Sequence, residues 1–380
     1  MKNFNFIFKG NISFGPGSKE EIYKIIVENN FKTACVVIDH ALVSLTIFKD
    51  YLNSFNCKIK IIKCDISEPT YEKLEEKRVE LDNEKFDVFI GIGGGSALDM
   101  AKALSVLYSN KKSAITYRGF EKFDKKIKPI IAIPTTAGTG SEITPNASFI
   151  DTNENKKMGI NGELIRPAYA ILDPELTLSC PLFPTLSAAV DSMVHSAEAF
   201  AAKKSNPIAK MFARNGFSLV FNNLTKLVND LDDIELRTNV MYGSFLSAVS
   251  LMNSGTGPAA AMSYPLGVRF GVPHGIGGGI FLPHIIEYNT EKGFNDYYKL
   301  LKTKKAENEK NESNLFVELV WDVWKKLNIP QDLKEFGMGI SDIPIFIKDT
   351  MDLKIALDQN PYPFDEAEIE IILKKLIVGN

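Results

Sequence analysis

Residues 87–104 read DVFIGIGGGSALDMAKAL, a short apolar run, three consecutive glycines, and a second run with helical spacing. An apolar strand that feeds through glycines straight into a helix is the building unit of a parallel sheet, because parallel neighbours need a crossover. Residues without a Cβ let the backbone approach an anion, and the free N–H groups of the helix start point at it. Gly94, Gly95 and Ser96 therefore form a candidate pyrophosphate cradle. A tight strand-to-helix turn with no ligand is the plainer alternative.

Outward from this stretch the same alternation continues. TACVVID (33–39), KIKIIKC (58–64), PIIAIPT (129–135) and AYAILD (168–173) read as further strands, while EEKRVELDNEK and ALDMAKALSVLYSN read as helices. From about Pro184 the strand signal stops and long helix-compatible segments follow, beginning with TLSAAVDSMVHSAEAFAAKK. The expected organisation is a Rossmann-like α/β domain with a parallel sheet over residues 1–183, then an all-α domain over 184–380. KTKKAENEKNESN (302–314) reads as a charged loop or a solvated helix end. Pro330, Pro361 and Pro363 should interrupt helices, and Asp365 should cap the last one.

Composition narrows the function. The chain has 380 residues, 45% of them hydrophobic, enough for two separate cores. A formal charge of −3 leaves no basic surface for nucleic acid or an anionic membrane, so a small-molecule task is expected. The amino terminus MKNFNFIFKG lacks a signal-peptide core, and no apolar run reaches membrane-spanning length. Cys35, Cys57, Cys64 and Cys180 form no CxxC pair and read as reduced packing residues of a cytoplasmic protein.

A second loop, IPTTAGTGSE (133–142), follows a strand and is dense in hydroxyls and glycines. Thr135, Thr136, Thr139 and Ser141 can donate to phosphate or ribose oxygens from the carboxyl edge of the sheet, where open α/β folds bind ligands. Two such loops suggest a dinucleotide. Asp39, at the end of TACVVID, can accept from ribose hydroxyls and repel a 2′-phosphate, which favours NAD over NADP; the alternative is a local helix cap.

AVDSMVHSAEAF (189–200) places Asp191 and His195 four residues apart, on one helix face, where they can share a metal or bond each other as core residues. Further on, MSYPLGVRFGVPHGIGGGIFLPH sets His274 between a proline and a glycine run, read as a rigid turn presenting an imidazole. Three ligands are the usual number for a catalytic ion with an open position, and an O/N set suits Zn2+ or Fe2+. His40 and His284 read as structural.

Taken together, GGGSALDMAK, PTTAGTGSE, LDPELT, AVDSMVHSAEAF and VPHG resemble the iron-containing (group III) alcohol dehydrogenases, in order and spacing. The likeness runs from FGPGS near the start to NPYPFDEAEIEIILKKL at the end. It implies a dehydroquinate synthase-like architecture, a dinucleotide-binding domain followed by a helical metal-binding domain with a cleft between them. It places Asp39, Gly94, Gly95, Ser96, Asp99, Thr135, Thr136, Thr139 and Lys157 on NAD-contacting motifs, and Asp191, His195 and His274 on three of four metal-ligand positions. The fourth departs: a family stretch resembling VHAMAHPLG reads PAAAMSYPLG here, so Ala260 stands at the ligand position and Tyr264 at the second histidine. Tyr264 then either takes part in proton transfer or packs under the PLG segment.

The resemblance implies an NAD-dependent, metal-assisted alcohol dehydrogenase acting on an alcohol or carbonyl compound, with a homodimer expected on the same ground. Arg269, five residues before His274, is a candidate clamp for an anionic group, which makes a sugar-derived or acidic substrate the working hypothesis. Two rivals stand beside this reading, a dehydroquinate synthase-like lyase or cyclase and a metal-free NAD-binding homologue.

Overall fold

The structure is a computed structural model that describes residues 3–65, 68–81, 84–301 and 309–379. Contacts divide the chain into two units, Lys9–Cys180 and a second formed by Met1–Phe8 with Pro181–Asn380.

In the first unit strands and helices alternate: β1 (Asn11–Phe14), α1 (Glu21–Glu28), β2 (Thr33–Asp39), α2 (Thr46–Asn53), β3 (Lys58–Cys64), α3 (Tyr71–Val79), β4 (Val88–Gly93) and α4 (Gly95–Ser109), followed by β5 (Gly119–Phe120), β6 (Ile130–Pro134), β7 (Asn146–Asp151), β8 (Lys156–Asn161) and β9 (Tyr169–Leu172). Six strands form one parallel sheet in the order β1-β9-β6-β4-β2-β3. Central β4 is buried along its whole length, as a continuous apolar run must be when helices cover both faces. Edge strand β3 instead carries Lys58, Lys60 and Lys63, charges that discourage pairing with another chain. Strand β2 leads outward to β3, whereas β4 leads the other way to β6. The order therefore reverses between β2 and β4, and the carboxyl ends of these two strands flank the crevice where such sheets bind ligands.

Five strands of the sequence reading are present within a residue or so of their expected limits. β1 and the β7–β8 hairpin were not anticipated, and the helix read over residues 75–85 ends at Val79. The hairpin's turn holds Asn155 at φ 52, a left-handed position that asparagine tolerates.

The second unit is built of α5 (Leu182–Ala201), α6 (Pro207–Leu227), α7 (Ile234–Met252), α8 (Pro258–Phe270), α9 (His274–Glu291), α10 (Glu309–Lys326), α11 (Ile343–Met351), α12 (Lys354–Leu357) and α13 (Glu366–Val378). Asp365 caps α13, accepting from the Ala367 amide at 3.0 Å, and Pro330, Pro361 and Pro363 lie outside helices. Residues 302–308 of the charged tract lie outside the described residues.

The unit boundary falls at Cys180/Pro181 rather than 183/184, and residues 1–8 group with the helices rather than with the sheet. The reason is local. Phe6 stacks on Phe212 with centroids 5.8 Å apart, and Phe8 meets Phe245 edge-on at 6.2 Å. Asn253 bonds both the amide and the carbonyl of Ile7, at 2.6 and 2.9 Å. No described helix is long and apolar enough to cross a membrane.

Candidate functional site

In the sheet unit, the glycine loop and the threonine loop touch. A Cβ on Gly95 would lie 2.9 Å from the Thr139 methyl, and one on Gly93, at φ 147, would lie 2.8 Å from the Ala97 methyl and 3.0 Å from the Asp39 Cβ. Glycine is thus required where α4 starts. Gly94 caps α4 with no side-chain acceptor, which leaves the first-turn amides to an incoming anion. Thr135 is buried at the end of β6, while Thr136 and Thr139 are partly open beside the glycines. Gly94, Gly95, Ser96, Thr135, Thr136, Thr139 and Asp39 are thereby gathered at the point where the strand order reverses.

Asp39, Asp99 and Lys157 also have partners within the protein. Asp39 is half-buried and its Oδ1 accepts from the Ala41 amide at 3.0 Å within the turn that follows β2, while Leu45 rather than Asp39 stands at the cap of α2; burial lifts its pKa against that hydrogen bond and the His40 charge. Asp99 turns inward: one carboxylate oxygen accepts from the Ser141 hydroxyl and lies 3.5 Å from Lys102 Nζ, and the other accepts from the Ser148 amide at 2.8 Å. Through these bonds Asp99 ties α4 to the loop after β6 and to the start of β7. Lys157, on β8, is ion-paired with Glu68.

Lys102 was missed. Its Nζ donates to Ser141 Oγ and to the Asn146 carbonyl, each at 2.7 Å, and the side chain is wholly buried. Burial pulls its pKa below the ordinary value, against the Asp99 charge. The signal was present: a lysine three residues after an aspartate inside the otherwise apolar ALDMAKAL.

In the helical unit, Asp191 and His195 face the same way one turn apart on α5, with His195 Nε2 3.4 Å from Asp191 Oδ1. His274 Nε2 is 3.7 Å from the same oxygen. Ligand atoms of all three lie within 4.8 Å of one another. Donors held about 2.1 Å from one ion at tetrahedral angles are roughly 3.4 Å apart, so the spacing and the one-oxygen, two-nitrogen set both fit a divalent cation.

His274 does not sit on a turn. It opens α9, capped by Pro273, and the following glycines are helical. Their role is close approach: a Cβ on Gly275 would lie 1.9 Å from the Ser187 carbonyl oxygen, one on Gly278 3.2 Å and one on Gly279 2.5 Å from the methyls of Val194 and Val190. Only glycine lets α9 press on α5 closely enough to bring His274 to Asp191.

Ala260 is buried on α8, three residues before Ser263, and adds no donor. The PLG segment is likewise helical, and Tyr264 packs edge-on against the His274 ring with centroids 4.9 Å apart. The anion-clamp expectation for Arg269 is corrected. Its Nε and Nη2 both bond Asp349 Oδ2 at 2.6 Å, tying the last turn of α8 to α11, so its donor fork is already engaged. His40 is exposed, and His284 packs in the core against Trp321 beside Glu287.

Comparison with known proteins agrees with this arrangement. The profile described as "Iron-containing alcohol dehydrogenase" matches residues 10–174, and "Fe-containing alcohol dehydrogenase family, C-terminal" matches residues 185–377. Long-chain-alcohol dehydrogenase 1 of Geobacillus thermodenitrificans is 29% identical over 375 residues, covering 96% of this chain and 94% of its own. NAD-dependent methanol dehydrogenase of Bacillus methanolicus is 27% identical over 380 residues, covering 98% and 100%. The solved structure of sulfoacetaldehyde reductase from Bifidobacterium kashiwanohense, in complex with NAD+, shares the fold with a TM-score of 0.91 at 23% identity, covering 100% of both chains. With the two profiles spanning sheet and helical units in turn, the chain belongs to the iron-containing alcohol dehydrogenase family and is an oxidoreductase of alcohols and aldehydes.

Proposed function

We propose that the protein is an NAD-dependent, divalent-metal-assisted alcohol dehydrogenase acting on a small alcohol or, in reverse, an aldehyde or ketone. The observation that carries this reading is the convergence of Asp191 Oδ1, His195 Nε2 and His274 Nε2 from α5 and α9. When bound, a divalent ion supplies Lewis acidity toward the substrate oxygen and NAD supplies the hydride acceptor. Asp191, His195 and His274 would hold Fe2+ or Zn2+. The amides of Gly95 and Ser96 and the hydroxyls of Thr136 and Thr139 would bind pyrophosphate and ribose, with Asp39 at the adenosine end disfavouring a 2′-phosphate. Tyr264, which packs against the His274 ring, would pass a proton to or from the substrate oxygen.

With Arg269 held by Asp349, an acidic substrate loses the residue on which it rested. A homodimer rests on the family resemblance, and a cytoplasmic location on four cysteines that form no CxxC pair.

The test is net NADH formation by Zn2+- or Fe2+-reconstituted protein over a panel of alcohols and diols. Asp191→Ala should lower kcat/KM about a thousandfold, the several kcal/mol that a Lewis acid contributes. Full activity in Asp191→Ala would remove the site assignment. Turnover without net NADH would favour the lyase reading.

A further inference from the structure

We propose that Ser263 is a positioning residue for this metal site: its hydroxyl fixes the His274 ring so that Nε2 carries the lone pair and faces Asp191 and His195. The proposal rests on the metal reading above and deepens it.

Ser263 lies on α8, 1% exposed. Its Oγ is 2.6 Å from His274 Nδ1 and 2.6 Å from the Ala260 carbonyl oxygen. A hydroxyl has one hydrogen, and a carbonyl oxygen only accepts. The contact to Ala260 therefore uses the serine's own hydrogen, and the contact to the ring must be supplied by Nδ1–H. Reversing the assignment would press two acceptors together at 2.6 Å with no hydrogen between them, a buried arrangement that costs about as much as a lost hydrogen bond. A neutral imidazole that donates through Nδ1 keeps its lone pair on Nε2, the atom 3.7 Å from Asp191 Oδ1.

Helix packing supports the contact. A Cβ on Gly277 would lie 3.1 Å from Ser263 Cβ, so the missing side chain on α9 lets α8 bring the hydroxyl up to the ring. His195 is held differently, its Nδ1 buried without a hydrogen-bond partner among the described residues. Of the two imidazoles, His274 is thus the one whose outer nitrogen is fixed by the protein. Such outer partners of a metal-bound histidine set its tautomer and ring orientation.

The experiment uses full-length protein. Long-range 1H–15N correlation of the histidine rings in metal-free protein, with His274→Ala to identify the signal, reads the tautomer without altering position 263. Zn2+ affinity by chelator competition is then compared among wild type, Ser263→Ala and Ser263→Thr. The expected results are an Nδ1–H tautomer for His274, a tenfold to hundredfold weaker Zn2+ affinity in Ser263→Ala, and affinity nearer wild type in Ser263→Thr. An Nε2–H tautomer in wild type, or Ser263→Ala binding Zn2+ within about twofold of wild type, overturns the proposal and leaves the metal reading standing. Failure of wild type to bind Zn2+ or Fe2+ overturns both.

Discussion

Asp39 ends β2 at the reversal of strand order, half-buried and already accepting one local amide. Its second oxygen remains for a ribose, and its charge is the group that would meet a 2′-phosphate. Asp39→Ala should raise the ratio of kcat/KM for NADP over NAD by tenfold to a hundredfold, about 1.4 to 2.8 kcal/mol of relieved repulsion. A ratio that moves less than about twofold would reduce Asp39 to a turn cap. Arg269→Ala should leave alcohol KM nearly unchanged and cost about 1 kcal/mol or less, because the guanidinium's task is a partly exposed pair with Asp349. A large rise in KM for acidic substrates alone would restore the anion clamp. At this scale the sequence was readable for residue type and poorly readable for direction. Asp99 and Arg269 have the chemistry of binding groups, but partners 42 to 80 residues away in the chain, Ser141 and Asp349, had already claimed them. Ser263 left no sequence signal at all, since its meaning arises only from the approach of α9.

Helix α9 shows what a pattern reading loses and why. Glycines after His274 suggested a turn, since glycine is a poor helix former by about 1 kcal/mol relative to alanine. Tertiary packing outweighs that cost by bringing α9 onto the backbone of α5. Gly275→Ala ought to gain helix propensity, yet its methyl would overlap the Ser187 carbonyl, which no rotamer change can relieve. Overpacking of this kind costs about 1 to 3 kcal/mol or more. The variant should therefore melt earlier and bind Zn2+ more weakly; an unchanged melting temperature and affinity would show that the helices separate at no cost. Strands were more legible. β2 and β4 are apolar runs bounded by loop residues and β3 sets isoleucines among its lysines, whereas β1 is four residues long and the β7–β8 hairpin is only mildly apolar.

For the whole molecule, all three candidate metal donors belong to Pro181–Asn380, while the proposed anion-binding loops belong to Lys9–Cys180. Zn2+ at about a hundred times its Kd should add about 2.7 kcal/mol to the helical unit. Hydrogen exchange should slow in α5, α8 and α9 on metal addition, and around residues 93–98 and 135–141 on NAD addition. Equal slowing of β4 and β6 by metal alone would place the ion elsewhere.

Burial of Lys102 bears on how the loop over residues 135–141 behaves over time. Wholly buried, the Lys102 amine cannot shed its three oxygen partners, one of them the Ser141 hydroxyl, without leaving a polar group dry and unpaired, at a cost of about 1 to 3 kcal/mol or more. Swinging the 135–141 segment aside would cost Lys102 one of those three partners, so the Ser141 end of the segment is tethered to α4. A coenzyme bound beside Thr136 and Thr139 would then meet a loop already tied down at one end.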